Sequence, residues 1–232
     1  MHKRIGIIGG LSPESTVEYY KHIFRRYVER FGEHSYPEII IYSVSFQQYA
    51  VWPEQERWDL IAEGLTDVGR KLEAAGADFL LIAANTMHMV LEQVRAGVGV
   101  PVLSMLDAVA EAILAEGFST VGLIGTRFTM GKTFYRDALS EHGIDALVPD
   151  QEDQRYINKV LYEELSNNVI REESRQGFLK IIDKLAGRGA EGIVLGCTEI
   201  PLLVNQAHIE MPVFDTTAIH AEAALNYALE GK

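Results

Sequence analysis

Gly189-Ala190-Glu191-Gly192-Ile193-Val194-Leu195-Gly196-Cys197-Thr198 aligns without a gap on Gly76-Ala77-Asp78-Phe79-Leu80-Leu81-Ile82-Ala83-Ala84-Asn85. A second pair matches at nearly the same offset, Ile5-Gly6-Ile7-Ile8-Gly9-Gly10 with Val121-Gly122-Leu123-Ile124-Gly125-Thr126. A third joins Val100-Pro101-Val102 to Met211-Pro212-Val213 and continues in Ala110-Glu111-Ala112 and Ala221-Glu222-Ala223. Three matches in one order imply two similar half-chains, each a βα array. The expected fold is α/β: two similar lobes with parallel sheets, related by a pseudo-two-fold axis, with equivalent strand ends facing one cleft. Residues 1–103 with 213–232 are expected to form the first lobe, the C-terminal helix returning to it, and 104–212 the second. Cys197, the single cysteine, is then the equivalent of Ala84, so one half carries a thiol where the other carries a methyl.

Short β-branched runs alternate with helical periods, as parallel sheets require. Strands are predicted at Arg4–Gly9, Glu38–Val44, Phe79–Ala83, Val100–Leu103, Thr120–Gly125, Asp145–Val148, Gly192–Gly196 and Met211–Phe214. Ser12 is a capping residue and Pro13 suits the first helical position. Val17, Tyr20, Phe24, Tyr27 and Phe31 mark one face of that helix before Gly32 stops it. A second helix is predicted from near Pro53 to Gly76, burying Leu60, Ile61, Leu65, Val68 and Leu72.

With 232 residues and 47% hydrophobic content the chain can bury a sizeable core. The net charge of −12, with no basic stretch, argues against nucleic acid and anionic membranes as partners. A lone cysteine forms no internal disulfide, which fits a reducing cytoplasm. Ile5 to Leu11 is short and Gly-rich and reads as a first strand, not a leader. No apolar run approaches a membrane span.

Ligands of open parallel sheets bind beyond the carboxyl ends of the strands. Four motifs fall there: Gly9-Gly10-Leu11-Ser12, Ala83-Ala84-Asn85-Thr86, Gly125-Thr126-Arg127 and Gly196-Cys197-Thr198-Glu199. Backbone N–H groups at such turns can hold a carboxylate. Nucleotide readings fail on spacing. Gly6 to Gly10 lacks the dinucleotide fingerprint, and five residues separate Gly125 from Gly131-Lys132-Thr133 where a phosphate loop has four. Cys197 can be a small buried apolar residue or a reactive thiol. Its place between strand end and helix start favours the thiolate, and Gly196 before it removes bulk beside a substrate. No His/Cys/Asp/Glu spacing suggests a metal site. His88 reads as structural, and His220 is expected on the last helix.

Together these motifs resemble the aspartate/glutamate racemase family. The resemblance rests on Gly9-Gly10-Leu11-Ser12-Pro13-Glu14-Ser15-Thr16, Asn85-Thr86-Met87-His88, Gly196-Cys197-Thr198-Glu199-Ile200 and Pro212-Val213-Phe214-Asp215-Thr216-Thr217. It implies two flavodoxin-like lobes and a homodimeric, cofactor-independent racemase acting on a small acidic amino acid. It further implies two thiols on opposite faces of the substrate α-carbon, one removing the proton and the other returning it. A base on one face alone returns its proton to that face, so inversion needs a second donor. By position Cys197 is one catalytic residue. The other falls on Ala84, where some family members carry threonine. The substrate-binding positions are then Leu11, Asn85, Thr86, Thr126 and Thr198.

Alanine transfers no proton, and three explanations follow. The second acid is replaced by a water, Thr86 or His88; or the sequence is an engineered variant lacking its first catalytic residue; or the chemistry has moved to a reaction needing one acid. The related arylmalonate decarboxylases are similar in the last respect, a single thiol protonating an enediolate. A non-catalytic amino-acid-binding protein is a further alternative. A side-chain carboxylate would need a cation, for which Arg127 is the candidate, with an exposed helix-start charge as its other reading. Ser45-Phe46-Gln47-Gln48 is expected to offer polar contacts.

Overall fold

The computed structural model describes residues 2–230. The chain divides into two compact units, Met1–Met105 with Thr217–Lys232, and Leu106–Thr216. In the first unit β1 (Ile5–Gly9), β2 (Ile39–Ser43), β3 (Phe79–Ile82) and β4 (Val102–Leu103) form a parallel sheet in the order β2-β1-β3-β4. In the second, β5 (Thr120–Gly125), β6 (Asp145–Leu147), β7 (Gly192–Gly196) and β8 (Val213–Asp215) repeat that order as β6-β5-β7-β8, again all parallel. The sequence repeat is therefore a repeat of topology.

The helices of the first unit are α1 (Pro13–Phe31), α2 (Phe46–Val51), α3 (Trp58–Ala74) and α4 (Leu91–Gly97). Next come α5 (Met105–Ala115), α6 (Arg127–Gly131), α7 (Phe134–Glu141), α8 (Gln151–Glu163), α9 (Glu172–Gly187) and α10 (Ile200–Leu203). The last, α11 (Thr216–Leu229), returns to the first unit from its second residue on. None of these helices is long and apolar enough to cross a membrane among the described residues.

Central strands explain why the apolar runs were readable. Every residue of β1, β3 and β7 is buried, and each fully enclosed Ile or Leu contributes about 1.5–3 kcal/mol. The core of the first unit gathers Ile8, Leu65, Leu72, Leu80 and Ile82. That of the second gathers Ile124, Ile157, Phe178, Ile182, Ile193 and Leu195.

Several boundaries and one face differ from the sequence reading. It placed a lobe boundary before residue 213, but Val213–Asp215 pair with Ile193, Val194 and Leu195 and so lie in the second sheet. The loop 45–48 opens α2, and Pro53–Gln55 forms a separate 3-10 turn ahead of α3. Ser12, Pro13 and Gly32 cap α1 as expected, with Gly32 left-handed at φ 66°. Its buried face, however, is Ser15, Thr16, Tyr19, Ile23 and Tyr27, while Val17, Tyr20 and Phe31 are exposed. The small hydroxyl residues are buried because they bond the turn beneath the helix. Thr16 Oγ1 accepts from Gly10 N at 2.8 Å and donates to Ser12 O at 3.1 Å.

Candidate active site

In each sheet the strand order reverses direction beside the first strand of its half, between β1 and β3 and between β5 and β7. Beyond the strand ends at such a switch point lies the usual ligand position of open α/β sheets. All four motifs singled out in the sequence lie at these two switch points.

In the first unit the turn after β1 is fixed by Gly10 at φ 81°, where a Cβ would collide with the backbone of Val44. Leu11, Ala84 and Asn85 are buried. The Ser15 hydroxyl, on α1, lies 3.3 Å from Ala83 O, tying the start of that helix to the end of β3. Thr86 opens a 3-10 turn, Thr86–Val90, and remains partly accessible.

His88 holds this turn from behind. Its Nε2 accepts the N–H of Met105 at 3.0 Å, which puts the ring proton on Nδ1, 2.9 Å from Ala84 O. A ring bonded at both nitrogens and 4% exposed is placed to orient the backbone of residue 84. Its role is structural, as the sequence suggested. His220, on α11, is fully buried, with Nε2 3.3 Å from Leu103 O and Nδ1 2.8 Å from the Tyr19 hydroxyl. The carbonyl can only accept, so Nε2 carries a proton, and in the neutral ring Tyr19 donates to Nδ1. Burial, and then the neighbouring His88, push its pKa down to about 3.

In the second unit Gly125 pairs with Gly196, so Thr126 and Cys197 leave adjoining strand ends. Thr126 caps α6, its hydroxyl accepting from Thr129 N at 3.2 Å. Cys197 is partly buried on the rim of the core. Its thiol donates to Glu199 Oε2 at 3.0 Å, and the Thr198 hydroxyl donates to the same oxygen at 2.9 Å. One carboxylate oxygen thus gathers the Cys197 and Thr198 side chains.

The thiolate was expected to be favoured, and hydrogen bonding from the backbone at Glu199 and Thr198 does act that way. Burial outweighs it, and the Glu199 charge and hydrogen bond add to burial, so the thiol is held well above its ordinary pKa. Gly196 was expected to make room for a substrate. A Cβ there would instead crowd Thr129 Cγ2 and Ile124 O, so the glycine serves the packing of α6 on the sheet. Glu199 was missed as a site residue; the signal was an acid two residues after the cysteine at a strand end. Among the described residues no group of three or more His, Cys, Asp or Glu could hold a metal ion.

Two equivalent parallel sheets with one thiol–carboxylate pair at a switch point define a protein class, and the sequence match names it. Residues 8–224 fit the model of the Asp/Glu/hydantoin racemase family, and the chain belongs to that family. A candidate Asp/Glu racemase from Yersinia pestis, known from its crystal structure, is 42% identical, with 98% of this chain and 99% of that one covered and a TM-score of 0.92. An aspartate racemase homologue from Pyrococcus horikoshii OT3 is 39% identical over 99% of this chain and 100% of its own, with a TM-score of 0.87. The broad specificity amino-acid racemase RacX of Bacillus subtilis is 24% identical over 225 residues, 96% of each chain.

Proposed function

We propose that this protein moves the α-proton of an acidic amino acid through Cys197, as a cofactor-independent racemase whose inversion is impaired by Ala84. The observation that carries the reading is the 3.0 Å hydrogen bond from the Cys197 thiol to Glu199 at the β5–β7 switch point. Glu199 takes the thiol proton, and the thiolate then removes the substrate α-proton, leaving an enediolate on the carboxylate. Returning the proton from sulfur restores the same face. Inversion would need a donor on the other face, the role that the repeat assigns to position 84, and a methyl group has no proton to give. Leu11, Asn85, Thr86, Thr126 and Thr198 are the substrate-contacting positions in this reading, in a cytoplasmic homodimer. Sedimentation tests the oligomeric state.

The raised thiol pKa favours a second reading. A thiol held protonated is a better donor than base, which suits a reaction needing one protonation, such as capture of an enediolate left by decarboxylation. Incubation of each enantiomer of aspartate and glutamate in deuterated water separates the two. Exchange at the α-carbon supports the first. No exchange, with protonation of an arylmalonate-type carbanion, supports the second. Tight binding with neither reaction marks an amino-acid-binding protein.

A further inference from the structure

Asn158 and Tyr162 stand four residues apart on α8 and therefore share one face. The Asn158 side-chain oxygen accepts the backbone N–H of Arg127 at 3.1 Å, which fixes this face of α8 against the first residue of α6. Arg127 follows Thr126 and so leaves the strand end adjoining that of Cys197. Its guanidinium lies over the Phe128 ring, 4.7 Å from the centroid. Tyr162, one turn along α8 from Asn158, is 50% exposed. Burial raises the pKa of its hydroxyl, the Cys197 and Glu199 charges add to that, and Arg127 lowers it. Arg127 itself is exposed. Arg127, held at its backbone N–H by Asn158, and Tyr162 on the same face of α8 thus stand beside the strand end that adjoins that of Cys197.

We infer that Arg127, with the Tyr162 hydroxyl as a second donor, receives the side-chain carboxylate of the substrate and is the residue that selects acidic over neutral amino acids. This rests on the proposed reaction for its geometry, with Cys197 at the α-carbon, but not for its test. A planar guanidinium with five donors matches a carboxylate in two parallel hydrogen bonds. The distal group is assigned to it because the residue is exposed, whereas the α-carbon must approach the half-buried thiol. A phenol as the second donor adds a hydrogen bond without adding charge.

Equilibrium binding decides the matter without requiring turnover. The full chain is titrated with L-glutamate, L-aspartate, L-glutamine and L-norvaline, then the Arg127→Gln, Arg127→Lys and Tyr162→Phe variants. Arg127→Gln is expected to weaken the two acidic ligands by roughly 10- to 100-fold, the range of a charge-assisted hydrogen-bonded pair. It should change the neutral ligands less than about threefold, within the noise of a surface substitution. Arg127→Lys should recover part of the loss and Tyr162→Phe should show a smaller one, again confined to the acids. Equal weakening of all four ligands, unchanged binding of the acids, or binding of none of them to the unaltered chain would overturn the assignment. Selective acid binding through Arg127 by a chain that exchanges no α-proton leaves the assignment standing and removes the racemase reading instead.

Discussion

The Cys197 thiol donates to Glu199 Oε2 over 3.0 Å, two residues apart in a turn that leaves a fully buried strand. That contact adds to burial, the larger cause, in keeping the sulfur protonated at rest. Burial disfavours the thiolate, the neighbouring carboxylate charge does so again, and hydrogen bonding from the backbone at 198 and 199 offsets only part of the sum. Replacing Glu199 with glutamine keeps the shape and removes the charge. The thiol pKa should then fall, so that alkylation by iodoacetamide, followed against pH, has its midpoint at lower pH in Glu199→Gln. An unmoved midpoint would show that burial alone sets the sulfur.

Cys197→Ala should abolish α-proton exchange while preserving the fold. The residue is only partly buried and sits on the rim of the core, so the stability loss should be about 1 kcal/mol, typical of a single substitution. Isotope exchange and a denaturation curve on the same preparation measure both. Exchange surviving in this variant would leave the cysteine a packing residue.

The first unit should be acid-sensitive through His220. Its folded pKa is about 3, whereas an unfolded histidine titrates near 6.5. The folded state therefore binds fewer protons than the unfolded one across that window. The contribution of neutral His220 is complete above about pH 6.5 and declines as pH falls toward 3, at about 1.4 kcal/mol per pH unit for one group. Urea unfolding at several pH values from 7 to 4 reads this slope, and His220→Gln should flatten it.

Tyr135 offers a test of the second unit. Its ring is fully buried on α7, and its hydroxyl has no hydrogen-bond partner among the described residues. Enclosing an unbonded hydroxyl costs about 1–3 kcal/mol. Tyr135→Phe should be neutral or stabilising in a thermal melt. A marked loss of stability would mean the hydroxyl is bonded in solution.

What could be read from the chain follows from how each signal is encoded. Strands buried on both faces write themselves as unbroken apolar runs, so Ile5–Gly9 and Gly192–Gly196 were legible, and the repeat pointed to two similar parallel lobes; the strand order came only with the pairing. The short strand Val213–Asp215 has no such run, and pairing rather than composition puts it beside β7. On α1 the apolar period pointed to Val17, Tyr20 and Phe31, because hydropathy cannot see that Ser15 and Thr16 are buried by bonding the turn below. Cys197 was found from its place at a strand end. The grip of Glu199 on its sulfur was not, since that depends on a side-chain rotamer. Likewise the neutral state of His88 follows from a bond to Met105 N, seventeen residues away.

Ala84 lies between β3 and the turn Thr86–Val90, and its carbonyl is bonded by His88 Nδ1 at 2.9 Å. With Cys197 as the one proton carrier, deprotonation leaves a planar carbanion that the same sulfur reprotonates from the same side. One enantiomer of the substrate should therefore take up deuterium from solvent with its configuration retained, and optical rotation should hardly change while exchange proceeds. Ala84→Cys or Ala84→Thr restores a donor at the repeat-equivalent position. Each should raise inversion relative to exchange, cysteine more than threonine because the thiol is the stronger acid. A Cys197→Ala change in the Ala84→Cys background should transfer the retention pattern to the opposite enantiomer, since the remaining thiol then serves the other face. Equal, fast racemisation of both enantiomers by the unaltered chain would sink the one-acid account and send the search to Thr86 or a water for the second proton.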